Sequence, residues 1–466
     1  MWKDSIERDD LEHMKQDKTY LFEEMSIPRA VMELSIPTVL GTLVMMLYNL
    51  ADTYFVGILN QPVQNAAVTL AAPLLLSFNA VSNLFGVGAS SMMSRALGRK
   101  DYDTVRGAAS FSFYCAIACS VLLSLAYTTF QSGFLAVLGA DPVTTKATAN
   151  YLFWTVTCGA CPAILNVVLS NMVRSEGYSM HASLGVMSGC LLNIVMDPFF
   201  ILPQFLGMGV AGAGLATFLS NTMACLYFFV LLFFRRKSTY VCLNPKRFFV
   251  HKAAILSIFG VGIPASIQNL LNVTGMTILN NFTSAYGADA VAAMGISYKV
   301  NMLPMYVCMG IGQGIMPLVS YNYASGNRKR MKDSILFVTK IMAVFAVTLM
   351  AVYFIWSGEI TRLFMENKSI IAYGTRFLRL MSISIPFLAT DFMAVGIFQA
   401  IGKGSYSLVF AILRKVVLEI PALYILNYFF PLYGLAFAQS SAEIVLAVAA
   451  VVVMSRILKE DTAMHS

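Results

Sequence analysis

Apolar runs of 20 or more residues recur along this chain from Ala30 to Ser455. That repetition constrains the fold more than any other feature. About 20 apolar residues at ~1.5 Å each cross the roughly 30 Å of hydrocarbon in a bilayer as a helix. The chain is 58% hydrophobic and only 12% charged, with a mean hydropathy of +0.70, whereas soluble domains carry about 25% charged residues. The expected fold is therefore an all-α polytopic membrane protein. Twelve spans are predicted, at about 30–56, 67–94, 107–130, 147–172, 180–203, 209–235, 251–283, 289–321, 332–357, 369–400, 405–428 and 432–455. Met1 to Glu24 mixes acids and bases without an apolar stretch, so no cleavable signal peptide is expected there.

The connections set orientation. Arg95, Arg99, Lys100 and Arg106 follow the second span, Arg174 the fourth, and Arg235, Arg236, Lys237, Lys246 and Arg247 the sixth. Arg328, Lys329, Arg330 and Lys332 follow the eighth, Lys403 the tenth, and Arg456 and Lys459 the twelfth. The alternate connections carry only Lys146, Arg362 and Lys368. Basic loops stay on the cytoplasmic side, so both termini are expected there, in a multi-pass plasma-membrane protein. The same topology accounts for the net charge of +8 without invoking nucleic acid. Cys158 and Cys161 form a C-x-x-C within a span, with no His or second Cys pair beside them, so packing is expected and no metal or other cofactor.

The halves repeat. Pro37 matches Pro264 at an offset of 264 − 37 = 227, and Gly86-Val87-Gly88 matches Gly310-Ile311-Gly312 at 312 − 88 = 224. Gly177 is paired with Gly404 at 404 − 177 = 227, and Gly212 with Gly434 at 434 − 212 = 222. Six spans return the chain to its starting side, so the halves are parallel repeats of the kind transporters rock about a central site. The expected organisation is a cytoplasmic segment 1–29, a lobe 30–236, a linker 237–250, a second lobe 251–456 and a tail 457–466.

Chemistry should sit where the repeat breaks. Asp52 lies near the end of span one with Tyr48 one turn earlier on the same face, and an acid in a spanning helix is costly unless it faces protein or water. Span five places Asn193 and Asp197 at i and i+4, and Pro198 frees the carbonyl of Ile194, which suits a wet cavity. Adding 227 gives Leu279 for Asp52 and Tyr424 for Asp197, so neither acid recurs in the second half. Two carboxylates sharing a cavity could hold a proton as a unit. With Asn193 and Thr217 they also offer the oxygen ligands of a sodium ion, and the sequence leaves that choice open. Pro37, Pro198 and Pro264 are candidate helix bends. The second half carries one comparable acid, Asp391, while Glu419 is expected to pair locally with Lys415. Lys299, Arg376 and Arg379 are candidates to neutralise Asp391 or to hold helix ends.

These residues resemble the multidrug and toxic-compound extrusion (MATE) family over nearly the whole chain. The carriers are YNLADTYFVG (Tyr48 to Gly57), GVGASSMMSRALGRKD, NIVMDPFFI, GVAGAGLAT (Gly209 to Thr217) and MGIGQGIMPLVSYNYASGN (Met309 to Asn327). The resemblance implies a twelve-helix transporter of two six-helix lobes that alternates between inward- and outward-facing states. It would expel cationic amphipathic drugs in exchange for protons or sodium. It implies a first-lobe cation site at Asp52, Asn193 and Asp197, with Tyr48 and Thr217 beside them. One sodium-coupled branch has a span-seven Glu where this chain has Asn272, one turn after Gln268, although Asp391 resembles that branch's span-ten Asp. A second-lobe site of Asp391, Asn272 and Gln268 is thus only half present. A monomer in the lipid bilayer, with no enzymatic activity, is expected. The rivals are a flippase for lipid-linked oligosaccharide or polysaccharide from the same superfamily, which should hold a more cationic cavity, an intramembrane aspartyl protease, whose Gly-rich motif is missing, and a channel.

Overall fold

The computed structural model describes residues 19–365 and 367–463. Among them there is no strand, and the chain is a succession of long helices. The first lobe contains α1 (Ile27–Ile58), α2 (Pro62–Gly98), α3 (Tyr102–Thr129), the short α4 (Gln131–Val137), α5 (Thr145–Leu152), α6 (Ala160–Ser175), α7 (Ser179–Ile201) and α8 (Val210–Phe234). The second contains α9 (Lys252–Ser284), α10 (Ala288–Ala324), α11 (Arg328–Arg362), α12 (Lys368–Ser382), α13 (Ile385–Ala400), α14 (Gly404–Ile412), α15 (Ile420–Phe429) and α16 (Tyr433–Ala463).

Among the described residues, nine helices are by themselves long and apolar enough to cross a membrane. Two further spans are bent pairs: α5 with α6, at 49°, and α12 with α13, at 46°. The twelfth is the run from Gly404 to Phe429, where α14 and α15 join through the π-helical turn Leu413–Glu419. That turn carries Arg414, Lys415 and Glu419, all buried. The predicted spans thus recover the twelve membrane crossings. Helices α1, α7 and α9 pass through Pro37, Pro198 and Pro264 without a break. The sharp breaks fall at Gly159 and at Ile383–Ser384 instead, and 384 − 159 = 225 makes them equivalent positions of the repeat.

Glycine contacts show the same duplication. A side chain at Gly212 would collide with the carbonyl of Phe200, and one at Gly434 with that of Leu426. Gly86 packs on Asn171 of α6 and Gly312 on Phe392 of α13, each within its own lobe. Gly88 meets Ile258 of α9 and Gly310 meets Val39 and Thr42 of α1, each across to the other lobe. One pairing is corrected. Gly177 ends its span at φ +90, and its structural counterpart is Gly402 at φ +82, an offset of 402 − 177 = 225, not Gly404. Only glycine adopts that left-handed conformation without a Cβ penalty, so the backbone identifies the partner.

The lobes meet along α1 with α10 and α2 with α9. Thr42 Oγ1 donates to Tyr306 O at 2.9 Å, Ser266 Oγ to Ala80 O at 2.6 Å and Arg95 Nη2 to Ser257 Oγ at 2.7 Å. Ser91 Oγ donates to Gln399 O at 2.5 Å and Arg174 Nη1 to Gln313 Oε1 at 3.1 Å. These contacts fall mainly in the halves of the helices that end at the basic loops. The chain before α1 reinforces that side: Arg330 donates to the carbonyls of Leu21, Phe22 and Met25, and Phe22 stacks on Tyr321 at 4.8 Å. The lobes are therefore joined on the basic side of the molecule.

Candidate ion and substrate site

Four elements of the first lobe converge on one polar cluster. α7 lies between α1 and α8, so the α7 face bearing Cys190, Asn193 and Asp197 is covered from both flanks. Asp197 and Asn193 are buried, at 0% and 1% exposure. With the amide oriented to satisfy both neighbours, Asn193 Nδ2 donates to Asp197 Oδ2 at 2.9 Å and Asn193 Oδ1 accepts from the Thr217 N–H at 3.1 Å. This uses one carboxylate oxygen of Asp197. The other, Oδ1, has no hydrogen-bond partner among the described residues. A buried acceptor left unpaired costs on the order of 1–3 kcal/mol, so the site suits a proton or a cation at that oxygen.

Asp52 enters from α1, half-buried, close enough for its charge to act on Asp197. Tyr48, one turn earlier, sits near the Thr217 side chain, Asp52 and Cys190. The predicted group of Tyr48, Asp52, Asn193, Asp197 and Thr217 is therefore brought together. Tyr151, at the end of α5, was not foreseen. It is buried and interacts with both Asp52 and Asp197. Nothing in its sequence surroundings separates it from a packing aromatic.

The second lobe differs from expectation. Asp391 is neutralised by Arg414, whose Nη1 lies 3.3 Å from Asp391 Oδ2. Lys299, Arg376 and Arg379 do not serve it: Arg376 donates to the Tyr433 hydroxyl at 2.8 Å, and Arg379 to Phe354 O and Ser357 Oγ. Arg414 also meets Glu443 of α16 at 2.5 Å, a buried acid that sequence reasoning passed over. Lys415 and Glu419 do form the expected local pair, at 2.7 Å. The second half thus buries Glu419 and Glu443 as well as Asp391, against two cations. Asn272 lines a small cavity of about 40 Å³ with Tyr298, Asn301, Arg414, Lys415 and Glu419, while Gln268 is not among its lining residues. The half-present second-lobe site is a charge cluster built around Arg414. The cysteines of the C-x-x-C are free, and among the described residues no cluster of His, Cys, Asp and Glu suits a metal ion.

Two repeated six-span lobes, joined on one side and burying acids, form an architecture suited to a membrane transporter. The MatE family model matches residues 37–199 and 264–425, one copy per lobe. The multidrug export protein MepA of Staphylococcus aureus (strain MRSA252) is 34% identical over 442 residues, covering 95% of this chain and 96% of its own. The MepA of Staphylococcus haemolyticus (strain JCSC1435) is 33% identical over 436 residues, covering 93% and 94%. Among solved structures, a multidrug-resistance MATE transporter of the MOP superfamily in an outward-facing conformation superimposes with a TM-score of 0.89 at 26% identity, covering 96% of this chain and 98% of that one. The chain belongs to the MATE family.

Proposed function

We propose that this protein is a multidrug exporter that exchanges cationic amphipathic compounds for an inward ion, proton or sodium, by alternating access. The carrying observation is Asp197, buried with one carboxylate oxygen unpartnered beside Asp52. In this scheme ion binding at Asp52 and Asp197, with Asn193, Thr217 and Tyr48 as neighbours, favours the state that releases drug. Drug binding favours the ion-free carboxylates. Differential affinity of that kind is what couples two ligands. Pro37 and Pro198, which each remove a helix hydrogen bond, and Pro264 on the other lobe are where the spans would flex. Relatives described as multidrug export proteins support the substrate class.

The protein would work as a monomer. The lobes' junction on the basic side fits a state open on the opposite, outer side, with both termini in the cytoplasm. A flippase for anionic lipid-linked sugars would need a net cationic cavity. Here Arg414 and Lys415 are balanced by Asp391, Glu419 and Glu443. The test is flux of a cationic amphipathic dye into proteoliposomes under an imposed proton or sodium gradient. Flux that requires one of the gradients is expected; equal flux with no gradient would refute exchange.

A further inference from the structure

The end of α8 and the linker after it form a second, separate cavity on the basic side. Phe229, Leu232 and Phe233 recur at i, i+3 and i+4 on one face of α8, and Arg236 follows in the turn just past its end. That face, residues 237–244, Arg247 and Arg106 of α3 enclose about 690 Å³, within the range of small-ligand sites. Four basic side chains line it, Arg106, Arg236, Lys237 and Arg247, and no acid is among the lining residues. Two acids lie nearby: Asp103, held by Arg247 at 2.7 Å with both side chains well exposed, and Glu176, bonded to the linker from behind.

The linker is held in place over this cavity although it lacks regular structure apart from a short turn. Tyr240 stacks on Tyr102 at 4.6 Å, and Arg106 lies over the Tyr240 ring at 5.8 Å. Ser110 Oγ and the Tyr114 hydroxyl donate to Asn244 O and Leu243 O, each at 2.8 Å. Behind the linker, Glu176 accepts from Thr239 Oγ1 at 2.9 Å and from the Tyr240 N–H at 2.6 Å. The cavity is thus amphipathic: an aromatic wall, partly exposed at the end of a membrane helix, beside a cluster of bases. Phe233 is 65% exposed and Phe229 38%.

We propose that this cavity binds the phosphate headgroup of an anionic phospholipid from the adjoining leaflet. The phosphate would sit among the four bases and the first acyl carbons along Phe229, Leu232 and Phe233. Basic pockets at this depth attract anionic headgroups, at about 1 kcal/mol per base near the surface. A zwitterionic headgroup would bring its own cation into the same cluster. A soluble phosphate would leave the aromatic wall without use. Because the linker joins the lobes, the lipid would tie the hinge to the membrane.

The experiment is native mass spectrometry of the full-length protein, exchanged into micelles with equal phosphatidylglycerol and phosphatidylcholine. Preferential retention of phosphatidylglycerol is expected, and Arg106→Gln with Arg236→Gln should weaken it by about tenfold or more. A second variant, Lys237→Gln with Arg236→Gln in the turn after α8, guards against a folding defect and should act in the same direction. Equal retention of the two lipids, undiminished retention in both variants, or displacement of the lipid by millimolar inorganic phosphate would each overturn the proposal.

Discussion

Asp197 is held by one oxygen and left open by the other, which makes it the most exposed point of the coupling scheme to mutation. Asn193→Ala removes a hydrogen bond to a charged group, about 1.5–3 kcal/mol, and should cut ion affinity roughly ten- to hundredfold in a flux titration. Arg414 is the opposite case, a residue whose value is structural. Arg414→Met leaves Asp391 and Glu443 buried without a cation and should cost about 3–5 kcal/mol in thermal unfolding. Adding Asp391→Leu and Glu443→Leu should return most of that loss, because a buried ion pair is often replaceable by apolar packing. The acids of the first lobe were legible in the sequence because a carboxylate inside an apolar run is costly and therefore conspicuous. Lys415–Glu419 was legible too, being one helical turn apart. The Asp391–Arg414–Glu443 cluster was not, since its members lie on three helices at separations of 414 − 391 = 23 and 443 − 414 = 29 residues. Tyr151 reads as one more aromatic among apolar neighbours.

Helices carry the duplication in their bends and close approaches. The breaks at Gly159 and Ile383–Ser384 and the tight seats of Gly212 and Gly434 recur at near-constant offset; the glycine pattern of the sequence anticipated the seats but not the breaks. It failed at Gly177 because Gly402-Lys403-Gly404 offers two candidates, and only the positive φ of Gly402 decides between them. Proline content gave poor guidance to the sharp bends: α1, α7 and α9 keep their helices through Pro37, Pro198 and Pro264. The seam between α1 and α10 depends on small residues. Gly310→Val would force a side chain against Val39 and Thr42 and should pry the lobes apart on the basic side. Maleimide labelling of a cysteine introduced at Ser35, in a background without the native cysteines, should rise relative to the parent.

At the scale of the whole molecule, the lobes are joined on the side of the basic loops, and the acids proposed for coupling lie in only one of them. Alternating access then requires that junction to open in every cycle. A bismaleimide linking cysteines at Arg174 and Gln313, which meet across the lobes at 3.1 Å, should stop dye transport reversibly with a cleavable reagent. Exchange of one proton for one monovalent cation moves no net charge, so the membrane potential would not drive it. A second inward ion would add about 2.3 kcal/mol per 100 mV, roughly a fifty-fold concentration ratio. A single site in the first lobe, with the second lobe's acids largely neutralised, favours the electroneutral case. Calorimetric titration of a cationic dye, in buffers of different ionisation enthalpy and with or without sodium, counts the ions displaced on binding. Displacement of about one ion is expected in the parent protein and none in Asp197→Asn; equal displacement in both would remove Asp197 from the coupling role.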